Sequence, residues 1–210
     1  MTRDEAIAMM KLQLGFRTDQ TENIITCLQQ GQIDLEQAAT KPWFLLSERA
    51  TILTSADDPR VQLPTDFLLE HEEDGLTYLP GNSGDPVELV KENLDQLKQV
   101  YKLTEGAPEA YALDGLYFRI FPIPDDLYTL EMYYYRTDEV LTTNVENKWL
   151  KHAPFLLMGK AGRLLSEGPL RDPIATRVFT EWEAKGLIQL YRQNEARKHT
   201  NTSMQIGGEA

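Results

Sequence analysis

The sequence has few of the residues from which most catalytic and metal sites are built. Its 210 residues include one cysteine, Cys27, and three histidines, His71, His152 and His199. A single cysteine excludes an intramolecular disulfide and a cysteine-based zinc cluster. No two histidines stand four residues apart, so the zinc-protease spacing on a helix is absent. Because Cys27 falls within an apolar helical pattern, we interpret it as a small packed hydrophobe.

Basic residues are also scarce. The chain carries 21 Lys and Arg against 33 Asp and Glu, which gives a formal net charge of -12. From Asp57 to Asp95 there are eleven acidic residues and only two basic ones. Specific binding to nucleic acid is not favoured, because contacts to phosphates need Lys and Arg. Such an acidic segment is usually a solvent-exposed face. A second interpretation is that it lines a passage through which DNA moves without binding to the protein.

Long apolar runs are missing as well. No stretch approaches the ~20 apolar residues that a membrane-spanning helix needs. The first residues, MTRDEAIAMMKLQLG, contain acids and lack the apolar core and cleavage site of a signal peptide. Hydrophobic residues nevertheless make up 41% of the chain, which is enough for a packed core. We therefore expect a folded protein, made in a cytoplasm, with no membrane segment.

The short motifs that invite a catalytic interpretation all have simpler ones. Ser83 lies in GNSGDP, which is a turn followed by a helix start rather than a nucleophile elbow. His71 lies in EHEED, where adjacent residues point in different directions, and Asp125-Asp126 suits a turn. We predict no catalytic, metal or cofactor site. The alternative from the enzyme class is a small hydrolase that uses an acid with His71 or His152.

Helices are predicted at both ends of the chain. The N-terminal ones cover residues 3–14 and about 20–39; Asp19 and Glu22 form a capping box for the second, and Gly31 weakens its middle. Pro154 opens a helix to Leu165, and Asp172 caps a last helix that ends near Ala196. In that last helix Ile174, Val178 and Trp182 are spaced by four, which predicts that they face the core. The small residues Gly159–Gly162 suit close helix approach.

The middle of the chain alternates like strands. GLYFRIFPIPDDLYTLEMYYY, residues 115–135, predicts a hairpin whose inner face carries Leu116, Phe118, Ile120, Tyr128, Leu130, Met132 and Tyr134. Asp85-Pro86 is a helix start, and it predicts one helix in this region, from Pro86 to Tyr101. The outer face of the hairpin is amphipathic and aromatic, which suits a partner surface better than bulk water. Its candidate interface residues are Tyr117, Phe121, Tyr133 and Tyr135.

These patterns predict an α+β fold, because runs of helices flank a run of strands. We expect a helical bundle built from the N- and C-terminal helices, with an inserted antiparallel β-sheet domain that contains one helix. The predicted boundaries are residues 1–50 for the N-terminal helices, 51–150 for the inserted domain, 151–196 for the C-terminal helices and 197–210 for a flexible tail.

Several of these segments together resemble the head-to-tail adaptor, or connector, proteins of tailed bacteriophages. The resemblance spans about Arg3 to Ala196, and its segments, in chain order, are WFLL (43–46), VQLPTDFL (61–68), YALDGLYFRIFPIPD (111–125), YTLEMYYY (128–135), WL (149–150) and AP (153–154). The most specific part is the series from Tyr111 to Tyr135.

The resemblance implies a structural virion protein, not an enzyme. It implies a ring of twelve copies under the portal protein, with tail, nozzle or fibre proteins on the other side and DNA passing through without specific binding. Assembly would take place in the host cytoplasm, and the assembled protein would be located in the neck of the virion, between head and tail. The alternative is that the chain is another neck or tail-completion protein. The implied portal-binding residues lie in the last helix and tail: Tyr191, Arg192, Arg197, Lys198, Met204 and Ile206.

Such a ring needs two lateral interfaces on each subunit. We expect the small-residue face at Gly159–Gly162 and the tyrosine face to supply them.

Overall fold

A computed structural model describes residues 1–47, 49–71, 75–80, 85–142 and 147–200, with side chains as far as Arg197. The chain divides into two compact units. The helical unit comprises Met1–Leu45 and Asp138–Ala210, and the β unit comprises Leu46–Thr137. The strand-rich unit is therefore an insertion between N- and C-terminal helices that pack together. The predicted α+β class, with one helix among the strands, is confirmed.

Five of the described helices belong to the helical unit. They are α1 (Arg3–Gln13), α2 (Thr21–Gln37), α4 (Lys148–His152), α5 (Pro154–Leu165) and α6 (Pro173–Thr200). A 3-10 turn at Thr18–Gln20 precedes α2, another lies at Trp43–Leu45, and a π-helical turn at Ser166–Leu170 joins α5 to α6. The sixth helix, α3 (Leu94–Tyr101), lies in the β unit.

Local capping explains most of these helix starts. Thr2 and Glu5 form a reciprocal capping box at the start of α1. The Asp172 carboxylate accepts from the first amides of α6, as predicted, and Pro154 opens α5 as predicted. The capping box predicted for Asp19 is wrong. Its carboxylate binds Arg17 at 2.9 Å instead, and α2 begins at Thr21 without a side-chain cap.

Glycines bring α5 into close contact with α2 and α6. A Cβ on Gly159 would lie 2.3 Å from the backbone nitrogen of Glu183, and one on Gly186 would lie 2.4 Å from the backbone nitrogen of Leu156. Gly31 does not interrupt α2; it lies against the backbone of α5. The prediction that Gly159–Gly162 form an interface between subunits is wrong, because α6 of the same chain covers Gly159 and Gly162 and α2 covers Ala161.

The buried face of α6 differs from the predicted one. Ala175, Phe179 and Leu190 are buried, whereas Ile174 is 78% exposed and Trp182 is half-buried against the edges of two phenylalanine rings. The glycine contacts explain the difference, since they fix which side of α6 approaches α5. The helix also continues to Thr200, past the predicted end near Ala196.

The described residues of the β unit form twelve short strands, most of them in antiparallel pairs. They are β1 (Ala50–Leu53), β2 (Arg60–Gln62), β3 (Phe67–Glu70), β4 (Thr77–Leu79), β5 (Val87–Glu88), β6 (Val90–Lys91), β7 (Glu105–Gly106), β8 (Ala110–Asp114), β9 (Tyr117–Phe121), β10 (Ile123–Pro124), β11 (Thr129–Met132) and β12 (Tyr134–Arg136). Two four-stranded sheets have the orders β1-β11-β4-β5 and β2-β9-β8-β6. Two further pairs, β12-β3 and β10-β7, complete the described pairings.

The hairpin predicted over residues 115–135 does not form, because its two strands lie in different sheets. Strand β9 pairs with β8 and β2, and β11 pairs with β1 and β4. The inner faces of both strands nevertheless meet in one core, where Phe118, Ile120, Leu130 and Met132 are buried together. Leu116 is 75% exposed, so this member of the predicted inner face was assigned wrongly.

The helix of the β unit is shorter than predicted. Residues from Val87 to Lys91 form β5 and β6, which pair with β4 and β8, and α3 starts at Leu94 with Asn93 as its cap. Valine at positions 87 and 90 is β-branched, which favours strands. Helix α3 packs on β8 and β9 through Leu97, Ala110, Ala112 and Phe121.

Candidate interaction surfaces

The C-terminal end of α6 is fixed to the segment that follows α2. The backbone N–H of Trp43 donates to Asn194 Oδ1 at 3.2 Å, and Asn194 Nδ2 donates to the Lys41 carbonyl at 3.3 Å. The Arg197 guanidinium lies 3.3 Å from the centre of the Trp43 ring, which is a cation–π contact. The last described turns of α6 therefore have a defined position within the helical unit.

An aromatic cluster underlies this contact. The Trp43 ring meets His152 edge-on at 4.8 Å, and Phe44 stacks on His152 at 5.2 Å and meets Trp149 edge-on at 5.1 Å. The α6 anchor is therefore continuous with the aromatic core around α4.

A buried carboxylate lies next to this cluster. Glu36 is only 6% exposed, and its Oε1 accepts from Trp149 Nε1 at 3.2 Å, from Gln32 Nε2 at 2.9 Å and from the Asp138 amide at 3.1 Å. Three donors satisfy this buried acceptor, which would otherwise be costly. The Lys41 ammonium donates to the carbonyl oxygens of Glu36 and Ala38, and burial lowers the pKa of Lys41 although the Glu36 charge opposes that shift.

The predicted portal-binding residues fall into two groups. Tyr191 and Arg192 are exposed on α6, and the Tyr191 hydroxyl lies 3.2 Å from the Thr40 hydroxyl. Arg197 is the residue that covers Trp43. The side chain of Lys198 and the whole of Met204 and Ile206 lie outside the described residues. The structure thus brings Tyr191 and Arg197 together against residues 40–43, and it adds Trp43 and Asn194, which the sequence analysis had not selected.

The predicted tyrosine interface is not one continuous face. Tyr117 is exposed at the start of β9, with the Arg60 guanidinium 6.0 Å from its ring centre. Tyr133 precedes β12 and Tyr135 lies in it, and both are half-buried. Strand β12 pairs with β3, so these two tyrosines lie outside the sheet that contains Tyr117. Phe121 is 4% exposed and packs under α3, so it offers no surface to a partner. The alternation was identified correctly, but α3 covers the side on which Phe121 lies.

A cleft of about 590 Å³ lies in the β unit, beside β3 and β6. Within it the Glu70 carboxylate accepts from the Tyr111 hydroxyl and forms an ion pair with Lys91. Burial and this hydrogen bond raise the pKa of Tyr111. Both Glu70 and Tyr111 are thus engaged with each other, which suits a structural role. The described residues contain no group of three or more side chains that could hold a metal ion.

These features define a two-unit protein in which the end of the last helix is anchored and aromatic and charged side chains are exposed. A family model described as SU10 adaptor protein matches residues 1–202. The chain therefore belongs to the SU10 adaptor protein family, a family of phage head-to-tail adaptors. No curated protein matches the chain.

Family membership decides several of the predictions. The family is structural and non-enzymatic, so the alternative of a small hydrolase is wrong. An adaptor binds other virion proteins, and a phage adaptor is located in the virion. Among the described residues, no helix has the length and apolar character needed to cross a membrane.

Proposed function

We propose that this protein forms a ring of twelve copies beneath the portal protein and joins the capsid vertex to the tail, leaving a channel through which DNA leaves the head. The observation that carries the proposal is membership of a head-to-tail adaptor family over residues 1–202. The division into a helical and a β unit supports it, because an adaptor needs separate surfaces for different neighbours.

The portal contact is assigned to the end of the chain. Tyr191, Arg192 and Arg197 project from a helix whose end is anchored on Trp43, so the residues that follow start from a fixed point. Lys198, Met204 and Ile206 would then extend this contact beyond the anchor. A segment that binds from a fixed start loses less conformational freedom than one that is free along its whole length.

The β unit is assigned to the tail, nozzle or fibre proteins. Tyr117, Tyr133 and Tyr135 keep part of their rings accessible, and tyrosine is enriched in protein interfaces. Phe121 is removed from this set because it is buried under α3.

The acidic segment from Asp57 to Asp95 is assigned a repulsive role towards DNA. Eleven acids and two bases give it a strongly negative charge. Like charges on the protein and on the phosphate backbone oppose adhesion, which would let DNA move through the ring without specific binding.

Purified protein mixed with portal rings tests this proposal. We expect negative-stain images and native mass measurements to give a complex with twelve adaptors per portal. A chain truncated after Arg197 keeps the Trp43 contact, so it should fold normally but dock to portal more weakly. The Leu103→Ala variant, which changes an exposed residue of the β unit, is the matched control and should dock as the wild type does.

Three results would each contradict part of the proposal. A protein that stays monomeric with portal under all conditions would exclude the ring. Density for this chain elsewhere in a cryo-EM map of the neck would make it a different neck or tail-completion protein. Unchanged docking of the truncated chain would remove the C-terminal segment from the portal contact.

A further inference from the structure

The helical unit contains a layer of three helices in the order α2, α5, α6. Helix α5 packs extensively against both neighbours, which make few direct contacts with each other. Gly159 of α5 faces α6, and Ala161 of α5 faces α2 through Gly31. These two positions are separated by about 200° around the helix, so α2 and α6 flank α5 on nearly opposite sides.

Each flanking helix carries an isoleucine on the side that faces away from α5. Gly31 of α2 and Gly186 of α6 touch α5, and Ile33 and Ile188 each follow two positions later. The same rotation of about 200° turns both isoleucines outwards. Their exposure agrees with this geometry, at 46% for Ile33 and 53% for Ile188.

The two outer faces carry exposed isoleucines near their centres. Basic residues exceed acidic ones on the outer face of α6, whereas the exposed charge on the outer face of α2 is acidic. On α6, Ile174 and Ile188 are accompanied by exposed Arg177 and Arg192. Arg177 also pairs with Glu181 at 3.5 Å, although both side chains remain mostly exposed.

On α2, exposed Glu22 shares the outer face with Ile33, since the two are eleven residues, or about three turns, apart. Over the longer segments, Arg3–Gln37 has six acids and three bases, whereas Pro173–Arg197 has four bases and three acids.

We infer that the outer face of α6 in one copy packs against the outer face of α2 in the next copy. Two different faces on opposite sides of a subunit give a head-to-tail contact, and repetition of such a contact closes into a ring when the rotation per subunit allows it. A face that paired with itself would stop at a dimer. The excess of acids over the N-terminal helices and of bases over α6 favours α6 against α2 over α6 against α6.

This inference rests on the proposed ring but adds which surfaces form it. It also replaces the predicted lateral interface at Gly159–Gly162, which α2 and α6 cover within the chain. Leu12 of α1 and Phe16 after it are further exposed apolar residues of the helical unit.

Cross-linking between introduced cysteines tests the inference directly. In a Cys27→Ala background, Ile33→Cys and Ile188→Cys are made singly and together, assembled on portal rings and treated with a short bismaleimide. A head-to-tail contact links each double variant to two neighbours, so a denaturing gel should show a ladder of covalent oligomers. Neither single variant should give a ladder or a dimer. The matched control is the double variant Ile33→Cys with Leu103→Cys, in which the second cysteine is at an exposed position of the β unit.

A second measurement does not depend on the cross-linker. Ile188→Glu places an acid opposite the acidic α2 face, and we expect the protein concentration for half-complete rings to rise at least about tenfold. The control Leu103→Glu should leave it within about twofold. Tryptophan fluorescence of each variant checks that the helical unit is folded.

The outcomes separate this inference from the proposed function. Rings on portal without a ladder from the double variant, and with normal assembly of Ile188→Glu, would overturn the inference while the proposed function stands. Dimers from Ile188→Cys alone would replace the head-to-tail contact by a symmetric one. A wild type that forms no rings would overturn the proposed function, and the absence of a ladder in the same experiment would overturn the inference too.

Discussion

The helical unit and the β unit are packed in different ways. In the helical unit the closest contacts are made at glycines, where α5 meets the backbones of α2 and α6. In the β unit large rings fill the space between two sheets: Phe118 meets Phe67 edge-on at 5.9 Å and Tyr111 at 5.6 Å. An added methyl group should therefore be costly at the glycine contacts, whereas the removal of a ring should be costly between the sheets.

The distribution of aromatic residues allows the two units to be observed separately. The three tryptophans, Trp43, Trp149 and Trp182, all lie in the helical unit, and eight of the nine tyrosines lie in the β unit. Tryptophan fluorescence therefore follows the first unit, and the near-ultraviolet signal of tyrosine is weighted towards the second.

The largest effect is expected from removing a ring from the β unit. Phe118→Ala deletes a fully buried side chain at the point where both sheets meet, and it should lower the free energy of unfolding by about 3–5 kcal/mol. Urea denaturation followed by the tyrosine signal measures this loss. The control Leu116→Ala, at an exposed position before the same strand, should change it by less than about 0.5 kcal/mol. An equal shift in the tryptophan signal would mean that the two units unfold together.

A smaller effect is expected from adding one methyl group to the helical unit. Gly159→Ala places a Cβ against the backbone of Glu183, so α5 and α6 must separate, at a cost of about 1–3 kcal/mol. Gly168→Ala is the matched control, because a Cβ there meets no atom within 4 Å. Denaturation followed by tryptophan fluorescence compares the two. Equal midpoints for both variants would show that the close helix contact does not limit stability.

The same contrast explains which parts of the fold could be predicted from the sequence. The starts of α5 and α6 are set by Pro154 and Asp172, which act on the residues next to them, and both were predicted correctly. The buried face of α6 was not, because it depends on glycines in α5 that are close only in the folded chain.

Strands were located better than they were paired. Alternation identifies which side chains of β9 and β11 share a face, and those faces do meet in the core. It carries no information on partners, so β9 was paired with a later strand instead of with β8 and β2. Asp85-Pro86 resembled a helix start, but the two β-branched valines that follow join strands at the edges of two sheets.

The candidate surfaces were harder to predict than the fold. Trp43 and Asn194 are 151 residues apart, and no local pattern relates them. Tyr191 and Arg197 were selected through family resemblance, and their anchoring on the segment from Thr40 to Trp43 became visible only in the structure.

The smallest effect is expected from alkaline pH, and it should appear in the β unit first. Burial, together with a 2.8 Å hydrogen bond to Asp66, raises the pKa of Tyr134 to about 12. The ordinary value is about 10, so the folded unit holds the phenol proton more tightly than the unfolded chain does. This stabilisation is complete below about pH 10 and is lost as the pH rises towards 12, with about 1 kcal/mol gone near pH 11.

Urea midpoints from the tyrosine signal between neutral pH and about pH 11 measure this loss. The Tyr134→Phe variant lacks the phenol that titrates, so its free energy of unfolding should fall less between neutral and alkaline pH than that of the wild type. Its stability at neutral pH should be lower, because the hydrogen bond to Asp66 is lost. The tryptophan-detected midpoint of the wild type should fall less than the tyrosine-detected one, since Tyr134 and Tyr111, whose pKa values are both raised, belong to the β unit. An identical alkaline decline in wild type and Tyr134→Phe would show that the Tyr134 proton does not contribute, and that the difference between the units lies in packing alone.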